Sequence, residues 1–197
     1  MYKHYLKRSI DFFVALCTLP FILLLVIIIG IAIFIDDRGP IFYKAPRMGR
    51  YGQIFNMFKF RSMKVNSPDL RNADGSTFNS ENDPRVTAVG RFLRKTSIDE
   101  LPQILNILLG DMSFIGPRPS LPTTPYKSYS AIRKKRVSVR PGITGYSQAY
   151  FRNSISQDEK FAYDCQYVDN ISLNLDLKIL MKTIVSVIKR DNIYVEQ

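Results

Sequence analysis

The sequence has few of the residues that build disulfide and metal sites. It contains two cysteines, Cys17 and Cys165, and one histidine, His4, among 197 residues. Two cysteines exclude a disulfide scaffold and a cysteine-rich zinc site, and one histidine nearly excludes Ser-His-Asp catalysis and histidine metal sites. The sequence has no Gly-x-x-x-x-Gly-Lys run, which excludes a P-loop. Carboxylates and basic side chains are therefore the candidates for chemistry.

Charge and hydrophobicity are unevenly distributed along the chain. The sequence has 28 Lys and Arg against 17 Asp and Glu, a net charge of +11, and is 46% hydrophobic. That hydrophobic content excludes a disordered tail. Residues 12–35 carry no charge at all, which excludes a plain soluble protein. As a helix these residues would reach about 36 Å, enough to cross a hydrocarbon core of roughly 30 Å.

Three interpretations of this apolar segment remain open from the residues alone. A signal peptide fits the basic start at Lys3, Lys7 and Arg8, but no small-x-small cleavage site follows. A single crossing would place a body with 25 basic and 16 acidic residues outside, against the usual charge preference. Pro20 suggests the third, a helix that enters the membrane, bends and returns, because proline removes a helix hydrogen bond. The re-entrant helix would leave both of its ends in the cytoplasm.

The polar remainder begins with strand and loop signals. Two β-rich runs, residues 41–44 and 54–60, flank residues 46–52, which contain two glycines, and together they predict a small hairpin. Residues 66–85 are rich in Asn, Ser, Asp, Gly and Pro, and predict a long mobile surface loop.

Helical patterns follow the loop. Apolar side chains recur at helical spacing at Leu101, Ile104, Leu105 and Leu108. Because Pro102 is tolerated only in a first turn, we expect this helix to begin near Asp99 and to end at Gly110. Residues 126–136 look helical and basic.

An amphipathic helix is predicted at the C-terminal end. Leu177, Leu180, Met181, Ile184 and Ile188 share one face, and Lys178, Lys182, Lys189 and Arg190 line the other. This helix either packs its apolar face on the core or lies in a membrane interface, and the pattern leaves both open.

The adjacent carboxylates Asp99 and Glu100 are the candidate reactive groups. They have a structural interpretation, because Ser97-x-x-Glu100 matches a capping box and acids are favoured in a first helical turn. They also have a chemical one. Helix-start N–H groups bind phosphate and keep a carboxylate ionised, an aspartate can attack phosphorus, and neighbouring carboxylates can hold Mg²⁺. Spacing alone does not decide between the two.

Several basic residues are candidates for binding phosphate. Lys59 and Arg61 flank Phe60 after a predicted strand, and Arg94 precedes the acid pair. Arg118 lies between two prolines, so little entropy is lost when it binds a phosphate, and Arg140 precedes a Pro-Gly turn. Each of these could instead be a solvated surface charge. The run Arg133-Lys134-Lys135-Arg136 suggests a membrane-surface patch for anionic lipid.

The motifs of the chain together resemble those of a known family. The chain is similar to bacterial sugar transferases of the monotopic phosphoglycosyl transferase family, which begin lipid-linked glycan synthesis. The similarity covers nearly the whole chain, and so many irregular strings in one order make it highly specific. The strings are Lys7-Arg8-x-x-Asp11, Pro46-Arg47-x-Gly49, Lys59-Phe60-Arg61-Ser62-Met63, Asp83-x-Arg85-x-Thr87-x-x-Gly90-x-x-Leu93-Arg94, Ser97-x-Asp99-Glu100-Leu101-Pro102-Gln103-x-x-Asn106, Gly110-Asp111-Met112-Ser113-x-x-Gly116-Pro117-Arg118-Pro119, Arg140-Pro141-Gly142-Ile143-Thr144-Gly145 and Asp176-Leu177-Lys178.

The resemblance implies a reaction and a site. Asp99 would attack the β-phosphate of a UDP-sugar, expel UMP and carry a phosphosugar, which undecaprenyl phosphate would then accept. Glu100 would assist, through Mg²⁺ held with Asp99 or by orienting the site. Lys59, Arg94 and Arg118 would hold phosphates, and Asp176 matches a family acid near the site.

The resemblance also implies an architecture. We expect a mainly α protein with a small β-hairpin, in the α+β class, with amphipathic interface helices and a compact cytoplasmic catalytic domain. Residues 1–35 would form a re-entrant membrane helix and residues 36–197 the catalytic domain, on the cytoplasmic face of a bacterial inner membrane. The chain resembles the minimal catalytic form, without the extra transmembrane domain of longer relatives. The family helix usually breaks at Ser-Pro about thirteen residues after the aspartate that matches Asp11, whereas here Leu19-Pro20 comes nine residues after Asp11 and has no serine before the proline.

The resemblance also implies binding partners. The partners would be a UDP-sugar, undecaprenyl phosphate and membrane lipid, without nucleic acid, and a homo-oligomer is compatible with the sequence. No residue identifies the sugar or the glycan pathway. The second function considered is a membrane-anchored basic protein that binds anionic lipid or nucleic acid without catalysis. It leaves Asp99-Glu100 unexplained.

Overall fold

The computed structural model describes residues 2–70, 78, 80, 82–152 and 154–189. A π-helical turn, Tyr2–Leu6, leads into the long helix α1. The remaining elements form a mainly helical body with two small sheets, as the α+β prediction requires. The helices are α1 (Lys7–Asp36), α2 (Ala88–Thr96), α3 (Gln103–Leu109), α4 (Ala131–Arg136), α5 (Tyr146–Tyr150), α6 (Gln157–Asp169) and α7 (Leu173–Lys189), with 3₁₀ turns at Arg50–Gly52, Ile98–Glu100 and Tyr126–Ser128. The strands are β1 (Phe42–Met48), β2 (Ile54–Phe60), β3 (Ser113–Ile115) and β4 (Gly142–Thr144).

Helix α1 is 30 residues long and apolar enough to cross a membrane by length and composition. It continues through Pro20. Ala15 and Ile22 pack into the core beneath the hairpin, and Ile33 packs with Phe60 and Leu93. Most of the other apolar side chains of α1 are exposed. One stripe of the helix therefore packs on the body, and most of the remaining surface is exposed in the part of the chain that the structure describes.

Strands β1 and β2 form the predicted antiparallel hairpin, with Phe42 opposite Phe60 and Met48 opposite Ile54. The pairing extends through Pro46, so the connecting loop is shorter than the predicted residues 46–52. Proline is accommodated because antiparallel residues alternate between hydrogen-bonded and non-hydrogen-bonded pairs. Its opposite residue, Asn56, directs its carbonyl to the Asn106 side chain, at 2.8 Å, rather than to β1. Pro46 therefore costs the ladder no hydrogen bond.

Helix α3 begins later than predicted, and the capping box is wrong. Ser97 closes α2 in a left-handed conformation, with φ 59°, and its side chain caps no helix. The tight turn Ile98–Glu100 follows, and α3 begins at Gln103. Pro102 has no N–H to donate to the Ile98 carbonyl, which accepts instead from the Leu101 amide at 3.1 Å, and the segment before α3 is a 3₁₀ turn. The predicted end at Gly110 is confirmed, with φ 94°.

The C-terminal half is built around a second core of Ile115, Ala149, Tyr167, Val168 and Ile179. The parallel pair β3–β4 and helices α5, α6 and α7 surround it.

Helix α7 confirms the predicted C-terminal helix, but most of its apolar face does not pack on the core. Ile179 is fully buried, whereas Met181 is 62% and Ile188 74% exposed. The other exposed apolar residues are Leu173, Leu177, Leu180, Ile184 and Val185. Among the described residues, this face is therefore not packed on the core.

Two further surface predictions are partly wrong. Much of the predicted mobile loop, residues 71–77, 79 and 81, lies outside the described residues. At its end, however, Asp83 and Arg85 are buried and form an ion pair, with Arg85 Nη2 2.6 Å from Asp83 Oδ2. In the basic run on α4, Arg136 is also buried, because it pairs with Asp164. It is therefore not part of a surface patch.

Candidate active site

The carboxylates Asp99 and Glu100 lie on the 3₁₀ turn between α2 and α3. The left-handed Ser97 reverses the chain after α2, and the tight turn then directs both acids toward the hairpin. Asp99 is buried, with 8% of its surface exposed. The Leu101 amide closes this turn on the Ile98 carbonyl at 3.1 Å, a carbonyl to which Pro102 cannot donate because it has no N–H.

Lys59 contacts both acids from the end of β2. Its Nζ lies 2.6 Å from Glu100 Oε1 and 3.8 Å from Asp99 Oδ2. The strand is held over α3 by the buried Asn106, whose side-chain oxygen accepts from the Phe58 amide at 2.9 Å. Asn106 therefore sets the position from which Lys59 reaches the pair.

Arg118 contacts the same Glu100 oxygen as Lys59. Its Nη2 lies 3.3 Å from Glu100 Oε1, and about half of its side chain is exposed. Its loop packs backbone to backbone against the second Gly-Pro segment, since a Cβ on Gly142 would lie 2.1 Å from the Gly116 nitrogen. The two glycine-rich motifs of the sequence thus form one structural unit.

Arg94 is the third cation near the pair. It lies in the last turn of α2, and its Nε donates to Ser62 Oγ at 2.9 Å. The close approach of α2 to this segment depends on Gly90, because a Cβ there would lie 2.0 Å from the Ser62 carbonyl oxygen. The positive charge of Arg94 acts on Asp99 and favours its ionised form.

The two acids have opposite electrostatic environments. Burial raises the pKa of Asp99, the charge of Glu100 adds to that, and Lys59, Arg94 and Arg118 oppose it. Burial also acts to raise the pKa of Glu100, but Lys59 and Arg118 outweigh it and lower that pKa to about 2. Neighbouring acids with pKa values pushed apart are typical of groups with different catalytic roles.

The structure does not bring Arg61 and Arg140 to this pair. Arg61 is buried and donates to the Asp37 carboxylate, the Asp37 carbonyl and the Pro40 carbonyl, so it fixes the end of α1. Arg140 Nε donates to the Gly110 carbonyl at 2.7 Å, and so holds the end of α3. Their guanidinium groups bind backbone and carboxylate oxygens at the ends of α1 and α3, and their expected role in phosphate binding stays a prediction.

Asp176 belongs to a separate buried cluster. It accepts hydrogen bonds from Tyr2 Oη and Lys7 Nζ, both at 2.6 Å, and from Tyr167 Oη at 2.7 Å. Within the described part of the chain, none of these partners contacts Asp99 or Glu100. Asp176 therefore joins the N-terminal segment to α6 and α7 rather than lining the acid pair.

Sequence reasoning gave no role to Ser62 and Asn106, which position Arg94 and Lys59. Both lie inside the matched strings, and that placement was the available signal. It also missed the buried Arg136 and Asp164, whose pairing spans 28 positions of the chain. Nothing in the local pattern of either residue indicated that pairing.

The acid pair fits Mg²⁺ as a partial ligand set. Among the described contacts Asp99 accepts no hydrogen bond, and Glu100 uses only Oε1 for Lys59 and Arg118. In the same described residues, no group of three or more His, Cys, Asp or Glu side chains could hold a metal. Magnesium in enzymes is commonly held by one or two carboxylates together with water and substrate phosphates, and the pair suits that arrangement.

The site thus consists of a buried aspartate and a neighbouring glutamate beside Lys59, Arg94 and Arg118, in a chain that also has an apolar helix of membrane-spanning length. The comparisons identify the family. The sequence pattern of the family described as bacterial sugar transferase matches residues 2–190. The chain belongs to the bacterial sugar transferase family, which confirms the resemblance seen in the sequence.

Named relatives support this membership. The Streptococcus agalactiae galactosyl transferase CpsE is 44% identical over 157 residues, which is 75% of this chain and 34% of the relative. The undecaprenyl-phosphate galactose phosphotransferase of Salmonella typhimurium is 39% identical over 208 residues, 98% of this chain and 42% of the relative. The uncharacterized sugar transferase EpsL of Bacillus subtilis is 41% identical over 192 residues, 95% of this chain and 90% of the relative. The chain thus spans well under half the length of the first two.

Proposed function

We propose that this protein transfers a sugar-1-phosphate from a UDP-sugar to undecaprenyl phosphate and releases UMP. The observation that carries the proposal is the geometry of Asp99, an acid without a hydrogen-bond donor among the described contacts, buried beside Lys59, Arg94 and Arg118. Relatives named as undecaprenyl-phosphate galactose and glucose phosphotransferases support the substrate class. The product would begin the assembly of a bacterial glycan on its lipid carrier.

Asp99 acts as the nucleophile in this proposal. A carboxylate oxygen of Asp99 attacks the β-phosphorus of the donor, and the bond from that phosphorus to the bridging oxygen of UMP breaks. UMP leaves with the bond's electron pair. A phosphate oxygen of undecaprenyl phosphate then attacks the same phosphorus and frees Asp99. Burial makes the carboxylate more basic and a better nucleophile, while the three cations favour its ionised form.

The cations stabilise charge on the phosphates during both transfers. Lys59 and Arg118 already bind Glu100, so they are fixed beside the position of the reacting phosphorus. Fixed donors of this kind stabilise a transition state without reorganising during the reaction. Asp99 and Glu100 would also hold Mg²⁺ together with the donor phosphates. When bound, the metal would neutralise part of the diphosphate charge.

We further propose that α1 is re-entrant, so that both of its ends lie on the cytoplasmic side. Arg8 Nη1, near its start, donates to the Ile107 carbonyl at 2.6 Å. Asp36, at its end, accepts from the Val89 amide at 2.8 Å, and Asp37 pairs with Arg61. A straight crossing would place these two ends on opposite sides of a membrane. Because both ends bind the same polar body, the contacts favour a helix that enters and returns.

A second contact with lipid is proposed for α7. Its exposed apolar face is flanked by Lys178 and Lys182, the composition of a helix that lies in a membrane interface. The catalytic body would then rest on the cytoplasmic face of the inner membrane, where it meets a water-soluble nucleotide and a lipid phosphate.

The direct test is product identification. We expect the purified protein, with Mg²⁺, undecaprenyl phosphate and a panel of UDP-sugars, to release UMP with at least one donor. Asp99→Asn should abolish release because an amide cannot attack, whereas Asp158→Asn, an isosteric change on the exposed start of α6, should not. UDP as the product would contradict the mechanism. The panel would also identify the sugar.

The alternative function is that of a membrane-anchored basic protein that binds anionic lipid or nucleic acid without catalysing a reaction. It is supported by the net charge of +11 but gives no role to the buried pair Asp99 and Glu100. Salt-dependent RNA binding without turnover of any donor would favour it.

A further inference from the structure

The loop that carries Arg118 is held by a buried ion pair outside the acid site. Arg136, the last residue of α4, is 5% exposed, and Asp164 on α6 is 1% exposed. Arg136 Nε donates to Asp164 Oδ2 at 2.7 Å, and Ser147 Oγ donates to Asp164 Oδ1 at 2.7 Å. The guanidinium also lies over the Phe161 ring, 4.7 Å from its centroid. Its plane is therefore fixed from two sides.

The remaining donors of Arg136 bind the Arg118 loop. Its Nη2 donates to the Arg118 carbonyl, and its Nη1 donates to Ser120 Oγ at 2.6 Å. One guanidinium thus connects α6 to the backbone of Arg118 and to the residue two positions later. A planar guanidinium with fixed donors is suited to this role, because a lysine ammonium cannot reproduce its fork geometry.

The backbone holds the loop on both sides of this contact. The Pro117 carbonyl accepts from the Gly142 amide at 3.1 Å, and the Ser120 carbonyl accepts from the Met48 amide at 2.9 Å. Arg136 binds the carbonyl between these two. Arg118 is therefore placed by a short, fixed segment, although about half of its own side chain is exposed.

We propose that Arg136, oriented by Asp164, is a positioning residue for donor binding. It holds the Arg118 backbone where the Arg118 side chain reaches both Glu100 and the donor diphosphate. This inference rests on the proposed function for its kinetic consequence, but the structural claim can be measured without turnover. The residue touches neither the acid pair nor the substrate, so it acts through Arg118.

Arg136→Lys tests the role while sparing the fold, because an ammonium can still pair with Asp164 but cannot also hold the Arg118 loop. We expect the KM for the UDP-sugar to rise about tenfold, the effect of losing one charge-assisted hydrogen bond, with a smaller change in kcat. Arg91→Lys, the same change at an exposed position on α2, should leave KM unchanged.

A double-variant cycle shows whether the effect of Arg136→Lys on KM acts through Arg118 or through a general loss of stability. In an Arg118→Ala background, Arg136→Lys should cause no further rise in KM, since the side chain it positions is gone. If Arg136→Lys raises KM by the same factor in both backgrounds, or leaves it unchanged in the otherwise wild-type protein, the proposal is overturned.

Hydrogen–deuterium exchange gives a readout that does not depend on activity. Peptides covering residues 116–120 should exchange faster in Arg136→Lys, while peptides from β2 keep their wild-type rates. Unchanged exchange at residues 116–120 overturns the positioning role. If the wild-type protein releases no UMP from any donor, the proposed function fails, and the exchange result still decides the inference.

Discussion

At the scale of single residues, two neighbouring acids have been given different properties by their surroundings. Burial leaves Asp99 with a raised pKa, whereas Lys59 and Arg118 bind Glu100 and lower its pKa to about 2. Asp99 is thus the more basic of the two and keeps its oxygens available among the described contacts. Glu100 holds the cations in place. This division of roles is what the proposed nucleophile requires.

Lys59→Met should move the acid limb of the pH profile upward. The positive charge of Lys59 lowers the Asp99 pKa, so its removal raises that pKa further. Asp99 must be ionised to attack, so kcat/KM should begin to fall at a pH about one unit higher than in the wild type. Lys44→Met, on the exposed side of the same hairpin, serves as the control. An acid limb at the wild-type pH would contradict the electrostatic coupling.

The sequence could predict some residues of the site and not others. The acid pair, Lys59, Arg94 and Arg118 lie together as the matched strings implied. Arg61 and Arg140 carry the same charge and flank similar motifs, yet they bind carbonyls at the ends of α1 and α3. Charge and spacing cannot show whether a guanidinium is already bound within the chain, because that depends on which carbonyls the fold brings beside it.

At the scale of elements, a close contact between α2 and the segment after β2 sets the position of Arg94. The contact requires Gly90, whose hydrogen faces the Ser62 carbonyl. Backbone atoms cannot move aside as a flexible side chain can, so this position accepts no larger residue without a shift of the helix.

Gly90→Ala should therefore destabilise the protein and impair the site together. An added Cβ would lie 2.0 Å from the Ser62 oxygen, so α2 must shift, and Arg94 would lose its bond to Ser62. We expect a loss of about 1–3 kcal/mol in unfolding free energy and reduced UMP release. Thermal unfolding checks this, with the exposed Arg91→Ala on the same helix as control. Wild-type stability in Gly90→Ala would show that the contact is not tight.

The exposed face of α7 can be tested with a single fluorophore, since the sequence contains no tryptophan. Met181→Trp should show blue-shifted emission in vesicles and strong quenching by brominated acyl chains, because this face would lie in the interface. Lys127→Trp, on the exposed turn Tyr126–Ser128, should show neither effect. Water-like, unquenched emission from position 181 would contradict the placement of α7 on lipid.

The elements were more predictable than their boundaries. The hairpin followed from two β-rich runs around a glycine-containing segment, and α7 followed from the helical spacing of its apolar side chains. The start of α3 did not follow from the pattern, since Ser97-x-x-Glu100 fits a capping box in the sequence, whereas in the structure Ser97 closes α2 and α3 begins only at Gln103. The burial of Asp83 and Arg85 could not be predicted either. Their polar side chains indicated an exposed loop, but in the structure they form an ion pair, which allows both to be buried.

At the scale of the whole molecule, one polar body binds both ends of an apolar helix. The start of α1 is held by the cluster of Tyr2, Lys7 and Asp176. The end of α1 is held by the ion pair between Asp37 and Arg61. The proposed topology follows from this arrangement and not from the hydropathy of α1, which is compatible with a crossing.

Cysteine labelling in intact cells tests the topology. With Cys17 replaced by serine, a membrane-impermeant maleimide should label Tyr5→Cys only after permeabilisation. Lys127→Cys on the catalytic body should behave in the same way, because both positions are proposed to be cytoplasmic. Labelling of position 5 in intact cells, with position 127 still protected, would show that α1 crosses the membrane.

The account depends most directly on a covalent bond between the Asp99 carboxylate and phosphorus. The decisive measurement is the intact mass of the protein after incubation without undecaprenyl phosphate. The UDP-sugar used is one from which the protein releases UMP in the complete reaction. We predict an added mass of one sugar-phosphate on the wild type, absent from Asp99→Asn and lost when undecaprenyl phosphate is added. An unmodified wild-type mass under conditions that support turnover would contradict the account.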